Sequence, residues 1–309
     1  MKAEHGPEAM YVAGGTDLYP NMKRRQFEPK VLVGLRGIEE LYGLSKGNGL
    51  TIGAGMTLTE LSTHPHVARK YPALARAAGL VSSPQLRNMG TIGGNLCVDT
   101  RCTYYNQTYQ WRKSLGFCMK KDGDICWVAL SSPRCLAVSS SDCAPVAIAL
   151  GAHVRLVGPE GERTVPIAAL YRDDGMDYME KSPDEILMSI HLPPSEGWRT
   201  AYWKLRRRGS IDFPILGVAV ALKLGEDGTC AEARIVLGAV ASQPVQATEA
   251  AALLVGQKIT PELIQEVAGL AYRPAKPLDN TDMALSYRKK MARVFTARAL
   301  AEAAGLVRG

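Results

Sequence analysis

The sequence predicts an α+β protein, in which a larger N-terminal region precedes a smaller domain of antiparallel sheet and helices. Three features of the 309-residue chain lead to this prediction. Short apolar runs alternate with helical patterns in the first part, a proline-containing linker follows, and a hairpin pattern succeeded by helices closes the chain. The length is sufficient for two domains that each bury a core.

The N-terminal region, residues 1–195, is expected to mix strands with helices. Apolar runs and alternation predict strands at 31–35, 50–55 and 153–157, and one-sided apolar spacing predicts a helix at 71–80. Thr57 supplies an N-cap for a further helix that begins at "LTELS". The run "APVAIAL" reads as a helix that precedes the strand at 153–157.

The second domain, residues 196–309, follows the linker "LPPSEGW". The segments "ILGVAVALKL" and "CAEARIVLGAV" flank a turn at 226–228, which together predict a β-hairpin. Helices are predicted at 246–254, after the cap Thr260 with its following proline, and at 283–304.

Composition excludes several classes of protein. The chain has no run of about 18 apolar residues, so no membrane span or membrane partner is expected. The N-terminal residues lack the apolar segment of a secretory signal, and a cytoplasmic protein is therefore predicted. The net charge of +7 gathers in basic knots at 23–25, 206–208 and 288–290. These knots indicate solvated surface, a site for a polyanionic ligand or a docking site for an acidic partner. Without a nucleic-acid-binding motif they do not predict DNA or RNA binding.

Two glycine pairs have the composition of phosphate-binding loops. "AGGTDL" (13–18) and "TIGGN" (91–95) each combine a glycine pair, a threonine hydroxyl and a polar side chain. Successive backbone N–H groups in such loops can bind an anion, although one glycine pair alone is more often only a turn. Neither loop matches the Rossmann or P-loop pattern. The repeated composition therefore suggests two loops that hold one pyrophosphate between them.

Asp142 stands just before an apolar helix in "SSSDCAPV". This position is typical of a helix N-cap. A carboxylate there could equally accept a hydrogen bond from a cofactor, and the sequence leaves both interpretations open.

The motifs "AGGTDL", "TIGGNL" and "SDCAPVAIAL", in this order, resemble the flavin-binding subunits of the molybdenum hydroxylase (xanthine oxidase) family. The resemblance covers nearly the whole chain and implies a two-part FAD-binding domain followed by a C-terminal flavoprotein domain. It also implies that FAD is bound by Ala13, Gly14, Gly15, Thr16, Asp17, Leu18, Thr91, Gly93, Gly94, Asn95 and Asp142. Lys204 matches a family lysine near the flavin, and its alternative is an exposed lysine at the end of a strand.

Six of the seven cysteines lie between Cys97 and Cys143. In a reducing compartment such a group favours a metal or redox centre over disulfides. The residues alone leave zinc and an iron–sulfur cluster about equally acceptable, although these cysteines lack the C-x₂₋₄-C pairs of most structural zinc sites.

The cysteine-rich stretch is similar to an insertion found in the β subunits of 4-hydroxybenzoyl-CoA reductases. "LCVDTRCTYYNQ" carries this resemblance, and the insertion spans residues 97–138. The resemblance implies that a [4Fe–4S] cluster is held by Cys102, Cys118, Cys126 and Cys135, which are 16, 8 and 9 residues apart. Cys97 and Cys143 then belong to the scaffold.

The resemblance implies an electron-transfer subunit, and no persuasive catalytic residues are found in the chain itself. Its partners would be a molybdopterin-binding subunit that removes a phenolic hydroxyl from an aryl-CoA thioester, a [2Fe–2S] subunit and a ferredoxin-like electron donor. The alternatives are the FAD subunit of another molybdenum hydroxylase, a flavoprotein dehydrogenase that acts alone and is held together by zinc, and a module that binds some other phosphate ligand.

Overall fold

The structure, a computed structural model, describes residues 2–307. It opens with the short helix α1 (Lys2–His5), a 3₁₀ turn and strand β1 (Ala9–Val12). Strand β2 (Val31–Gly34) pairs with β1 in parallel, and helix α2 (Leu18–Lys23) connects them. The first glycine loop therefore lies at the carboxyl end of β1, where the chain turns into α2.

A five-stranded antiparallel sheet forms the body of the N-terminal region. Its order is β3–β4–β7–β5–β6, and β7 pairs with both β4 and β5 although it follows them in the chain. The bounds are β3 (Leu44–Gly47), β4 (Gly49–Gly53), β5 (His153–Gly158), β6 (Gly161–Pro166) and β7 (Ile186–Leu192). The strands predicted at 50–55 and 153–157 are thus present, with small shifts at their ends.

Short helices cover this sheet. They are α3 (Leu58–Thr63), α4 (Pro65–Lys70), α5 (Pro72–Leu80), α6 (Pro84–Arg87), α7 (Ile92–Leu96), α8 (Tyr109–Ser114) and α9 (Cys143–Ala149). Thr57 caps α3 as predicted, in a reciprocal capping box with Glu60. A proline at the start of α4, α5 and α6 sets where each helix begins.

The C-terminal domain places a four-stranded antiparallel sheet, in the order β11–β10–β9–β8, against three helices. The strands are β8 (Trp198–Leu205), β9 (Leu216–Leu224), β10 (Cys230–Gly238) and β11 (Val245–Gln246). The helices are α10 (Thr248–Leu254), α11 (Pro261–Ala271) and α12 (Leu285–Ala303). The predicted hairpin is β9–β10, and Thr260 caps α11.

Both faces of this second sheet are buried. Val218, Val220 and Leu237 pack on the helices, whereas Ala219 and Val236 belong to the core of the N-terminal region. This double burial explains why "LGVAVAL" in β9 is apolar at consecutive positions. The two domains are therefore in close contact, with α9 against β9 and β10.

The basic knot at 288–290 is not entirely on the surface. Arg288 is fully buried, and it donates hydrogen bonds to the main-chain carbonyls of Leu278 (2.7 Å) and Ala239 (2.8 Å). The expectation of a surface residue is therefore wrong for Arg288, because its guanidinium satisfies carbonyl groups inside the C-terminal domain. No helix within residues 2–307 is long and apolar enough to cross a membrane.

Candidate functional site

A cleft of about 690 Å³ opens between the two glycine loops. Ten residues predicted from the two loops contribute to its wall: Ala13, Gly14, Gly15, Thr16, Asp17, Leu18, Thr91, Gly93, Gly94 and Asn95. The volume lies in the range of small-molecule and cofactor sites. The tertiary structure thus brings together two segments that lie far apart in the sequence.

The glycines permit close packing of the loops. A Cβ atom on Gly14 would overlap the carbonyl oxygen of Met89, which precedes the second loop. A Cβ on Gly93 would lie 2.7 Å from Cβ of Ala54, and Gly15 has a φ of +71°, which favours glycine. The protein's own packing and backbone conformation therefore require these glycines.

The first loop also presents unused hydrogen-bond donors. Within residues 2–307, the backbone N–H groups of Gly14, Gly15 and Thr16 have no acceptor in the protein. In the second loop, by contrast, the hydroxyl of Thr91 accepts from the N–H of Gly94 at 3.0 Å. Adjacent free N–H groups at a glycine turn form an anion-binding concavity, so the first loop fits a phosphate group.

Asp17 is held by neighbouring side chains. Asn21 donates to it at 3.0 Å, and Arg101 forms an ion pair with its other oxygen. The guanidinium of Arg101 also lies 4.2 Å from the ring centre of Phe213, a cleft residue from the C-terminal domain. Burial lowers the pKa of Arg101 to about 10, which leaves the side chain charged at neutral pH. The first glycine loop is thereby linked to the cysteine-rich segment and to the second domain.

Asn95 is oriented by the start of α9. Its side-chain oxygen accepts from the hydroxyl of Ser141 at 2.8 Å and from the backbone N–H of Cys143 at 3.1 Å. Because a backbone N–H can only donate, the amide oxygen must face it. The NH₂ group of Asn95 is therefore left as a donor beside the cleft.

Asp142 and Lys204 contact each other rather than the cleft. Lys204 Nζ donates to Asp142 Oδ2 at 2.8 Å, and Tyr202 donates to Asp142 Oδ1 at 2.7 Å. The Lys204 side chain is 1% exposed, so the interpretation as an exposed lysine at the end of a strand is wrong. Asp142 makes no cap hydrogen bond to α9, and Ser141 accepts from Ala144 instead.

Several cleft residues were not predicted. Phe213 follows the basic knot at 206–208, Tyr178 and Met179 lie before β7, and Asp99 lies near the start of the cysteine-rich segment. They come from loops without a recognisable motif. An unexplained aromatic residue in a polar loop, such as Phe213, is the only signal that the chain offers.

The cysteine-rich segment folds around a small core of its own. Arg101 and Val138 pair through two backbone hydrogen bonds of 2.8 and 2.7 Å and close the loop. Cys102, Cys118 and Cys135 share a buried cluster with Tyr105. Cys126 is also buried. Burial raises the pKa of Cys135 to about 11, and the thiol of Cys126 adds to this rise.

All four thiols are free. Among the described residues, no three His, Cys, Asp or Glu side chains are grouped to hold one metal ion. Zinc thiolates lie about 2.3 Å from the metal, which requires all four sulfurs to meet closely. Four buried cysteines in one segment are the type of ligand that an iron–sulfur cluster uses, and the cluster stays a prediction.

Comparison with protein-family models matches two regions of the chain. Residues 1–195 match the FAD binding domain in molybdopterin dehydrogenase, and residues 200–303 match the CO dehydrogenase flavoprotein C-terminal domain. The first match alone covers more than half of the chain. This chain belongs to the FAD-binding subunits of the molybdenum hydroxylase family.

Individual relatives agree with this family. The aldehyde oxidoreductase FAD-binding subunit PaoB of Escherichia coli K12 is 33% identical over 79% of this chain and 78% of its own length. The carbon monoxide dehydrogenase medium chain of Afipia carboxidovorans is 32% identical over 96% of this chain and 90% of its own length. This chain is therefore an oxidoreductase subunit.

A solved structure supports the fold. A chain of the carbon monoxide dehydrogenase of Hydrogenophaga pseudoflava, which lacks the Mo-pyranopterin moiety, superimposes with a TM-score of 0.80 at 30% identity. The match covers 98% of this chain and 92% of the other. The predicted two-part FAD-binding domain with a C-terminal flavoprotein domain is thus confirmed as the architecture. The named relatives are not aryl-CoA reductases, so that finer resemblance stays a prediction.

Proposed function

We propose that this FAD subunit also carries a [4Fe–4S] cluster and transfers electrons within a molybdenum-containing aryl-CoA reductase similar to 4-hydroxybenzoyl-CoA reductase. The observation that carries the proposal is the burial of four cysteines in one segment that adjoins the flavin cleft. FAD exchanges one or two electrons and the cluster exchanges one. The chain's own residues bind these groups, space them and exclude water.

The two glycine loops hold the FAD pyrophosphate in this proposal. The free N–H groups of the first loop bind phosphate oxygens, and the NH₂ group of Asn95 adds a donor from the second. The family resemblance assigns Asp142 and Lys204 to the flavin site. They do not line the cleft, and in this proposal they stabilise its wall. Lys204 donates to the carbonyl oxygen of Leu80, next to cleft residue Val81.

Cys102, Cys118, Cys126 and Cys135 would be the cluster ligands. Tyr105, which is 2% exposed, shares a buried cluster with Cys102, Cys118 and Cys135 and would exclude water. Burial raises the pKa of Cys102 to about 12, and a thiolate there would need a positive partner to form. Bound iron supplies that charge, so cluster binding and the order of this segment are coupled.

The proposed partners are a molybdopterin-binding subunit, a [2Fe–2S] subunit and a ferredoxin-like donor. The family supports the first two, because its members include the medium chain of a dehydrogenase complex. The basic knot at 23–25 adjoins the cysteine-rich segment, since Arg112 donates to the carbonyl oxygens of Arg24 and Arg25. An acidic electron donor would dock at this basic knot. If the rate at which the donor reduces the protein does not change with ionic strength, this docking is contradicted.

A second candidate is the FAD subunit of a molybdenum hydroxylase that oxidises its substrate. The identities of 33% and 32% to an aldehyde oxidoreductase subunit and a carbon monoxide dehydrogenase chain favour it. Purification of the native complex separates the two, because only the reductase would dehydroxylate an aryl-CoA thioester with a low-potential reductant.

Cofactor analysis tests the cluster directly. We expect about four iron atoms, about four acid-labile sulfides and one FAD per chain. Serine at Cys102, Cys118, Cys126 or Cys135 should reduce the iron content and leave the FAD content intact. Cys230→Ser is the matched control, because Cys230 is buried in β10, far along the chain in the second domain. One zinc per chain, or iron that persists in all four variants, would contradict the cluster.

A further inference from the structure

Two residues of the cleft wall pack on Arg101, which does not itself line the cleft. Asp17 forms an ion pair with its guanidinium, and the guanidinium carbon lies 4.2 Å from the ring centre of Phe213. Burial raises the pKa of a third cleft residue, Tyr178, and the charge of Arg101 acts against this rise. Arg101 therefore links the first glycine loop to an aromatic ring of the second domain.

Arg101 is fixed by its main chain and by burial. Its N–H donates to the carbonyl oxygen of Val138 at 2.8 Å, and its carbonyl oxygen accepts from the N–H of Val138 at 2.7 Å. The Arg101 side chain is 12% exposed. A side chain that is already ordered loses little further entropy when a neighbour or a ligand packs against it. Arg101 is therefore a rigid support for the groups that touch it.

Phe213, by contrast, is 45% exposed and lies at the end of a loop, residues 206–213, of the second domain. This loop is held at another cleft residue, Ser82, whose carbonyl oxygen accepts from the N–H of Ile211 at 2.9 Å and from the hydroxyl of Ser210 at 3.2 Å. The loop thus touches the cleft wall at Ser82 and at Arg101. It brings one aromatic ring into a cleft that is otherwise lined mainly by the N-terminal region.

We propose that Arg101 is a positioning residue that holds the Phe213 ring in the cleft wall, where the ring contacts bound FAD and slows its release. This inference rests on the FAD site proposed above. A guanidinium on an aromatic ring is attracted by the quadrupole of the ring, most strongly where water is excluded. The flat ring systems of FAD pack favourably on an aromatic side chain. A ring that is held in place before the ligand arrives loses less entropy on contact, which favours the bound state.

Other charged residues of the loop hold its backbone rather than the ring. Arg208 pairs with Asp212 at 2.8 Å, and Arg207 pairs with Asp282 at 2.7 Å. Within residues 2–307, Arg101 is the only cation that packs on the Phe213 ring. Substitution of Arg101 therefore removes the support of the ring and leaves the ion pairs of the loop in place.

The test measures the rate at which the full chain, loaded with FAD, releases the cofactor to an excess of a second apoflavoprotein. We expect Phe213→Ala to raise the rate about tenfold, because one ring contact is lost. Phe213→Tyr keeps the ring and should stay within about twofold of wild type. An unchanged rate in Phe213→Ala, or equal rates in the two variants, would overturn the proposal.

Arg101→Gln separates positioning from a general structural role. If Arg101 acts through the ring, the substitution should raise the release rate about tenfold in otherwise wild-type protein and less than about threefold in Phe213→Ala. Equal factors in the two backgrounds would show that Arg101 acts through Asp17 alone, which refutes the positioning role. Arg298→Gln is the matched control, because Arg298 packs on the ring of Phe295 at 5.4 Å and neither residue lines the cleft.

Melting curves identify variants that fail to fold. If Arg101→Gln does not fold, the comparison of Phe213→Ala with Phe213→Tyr decides, because truncation of a half-exposed ring leaves no internal cavity. Wild-type protein that binds no FAD would instead refute the FAD site itself, so the two failures are distinguishable.

Discussion

Lys204 of β8 and Asp142 at the start of α9 form a buried ion pair of 2.8 Å that joins the two domains. Both side chains are almost fully buried, with 1% and 3% exposed. Tyr202 and the carbonyl oxygen of Leu80 complete the network. Since Ser141 and Cys143, on either side of Asp142, orient Asn95, the pair sets the position of one wall of the FAD cleft.

Removal of one partner of this pair should destabilise the protein strongly. Asp142→Ala leaves the Lys204 ammonium buried with only the Leu80 carbonyl, and breaking a buried pair typically costs about 3–5 kcal/mol. The free energy of unfolding from urea denaturation measures the effect. Glu232→Ala removes a partner of the exposed Lys223 and should cost less than about 1 kcal/mol. Equal costs for the two variants would contradict the structural role of Asp142.

Gly14→Ala should abolish FAD binding. The added Cβ overlaps the Met89 carbonyl oxygen, so the first glycine loop must move away from the second. FAD content after purification and quenching of flavin fluorescence on reconstitution measure the loss. Gly37→Ala is the control, because no atom lies within 4 Å of a Cβ at that position. Normal FAD binding by Gly14→Ala would show that the loops need not touch.

Gly175→Ala should lower iron content more than FAD content. A Cβ at this position would lie 2.7 Å from both the Cys135 sulfur and the backbone nitrogen of Ala137. The cysteine-rich core must therefore shift, whereas the glycine loops are not in contact with this atom. Iron, sulfide and FAD per chain are compared with those of Gly269→Ala, whose added Cβ meets nothing. A parallel fall of FAD and iron would argue against separate sites.

Acid should remove the stabilisation provided by Glu185 at the edge of the cleft. Arg163 donates two hydrogen bonds to this carboxylate, at 2.6 and 2.9 Å, and thereby lowers the pKa of Glu185 below its ordinary value. Since the pKa is lowered in the folded state, the contribution is complete above the unfolded pKa of about 4.3. It is lost as the pH falls through the folded value.

The measurement is the melting temperature of wild type and Glu185→Gln across this range of pH. The wild type should be more stable at neutral pH, and the difference should vanish in acid. A difference that grows as the pH falls would reverse the assigned direction. Lys70→Gln removes a separate surface ion pair with Glu196. It should leave the pH dependence of the melting temperature that is assigned to Glu185 unchanged.

Local patterns identified most elements and both glycine loops. Thr57 and Thr260 were recognisable as caps because their side chains bond to the backbone three residues on, which is a local interaction. The roles of Asp142 and Lys204 could not be read in this way. They lie 62 residues apart. Only their contact in the interior shows that Asp142 is not a helix cap and that Lys204 is not a surface residue.

The sequence by itself determined the α+β class, the glycine loops and the group of cysteines, because each depends on residue type and short spacing. Only the tertiary structure decided that Met89 packs on Gly14, that Phe213 and Tyr178 complete the cleft, and that Lys120 and Asp99 form a buried ion pair. These contacts join distant segments whose approach is set by burial of the sheets. A long-range contact of this kind leaves no periodicity or motif in a single sequence.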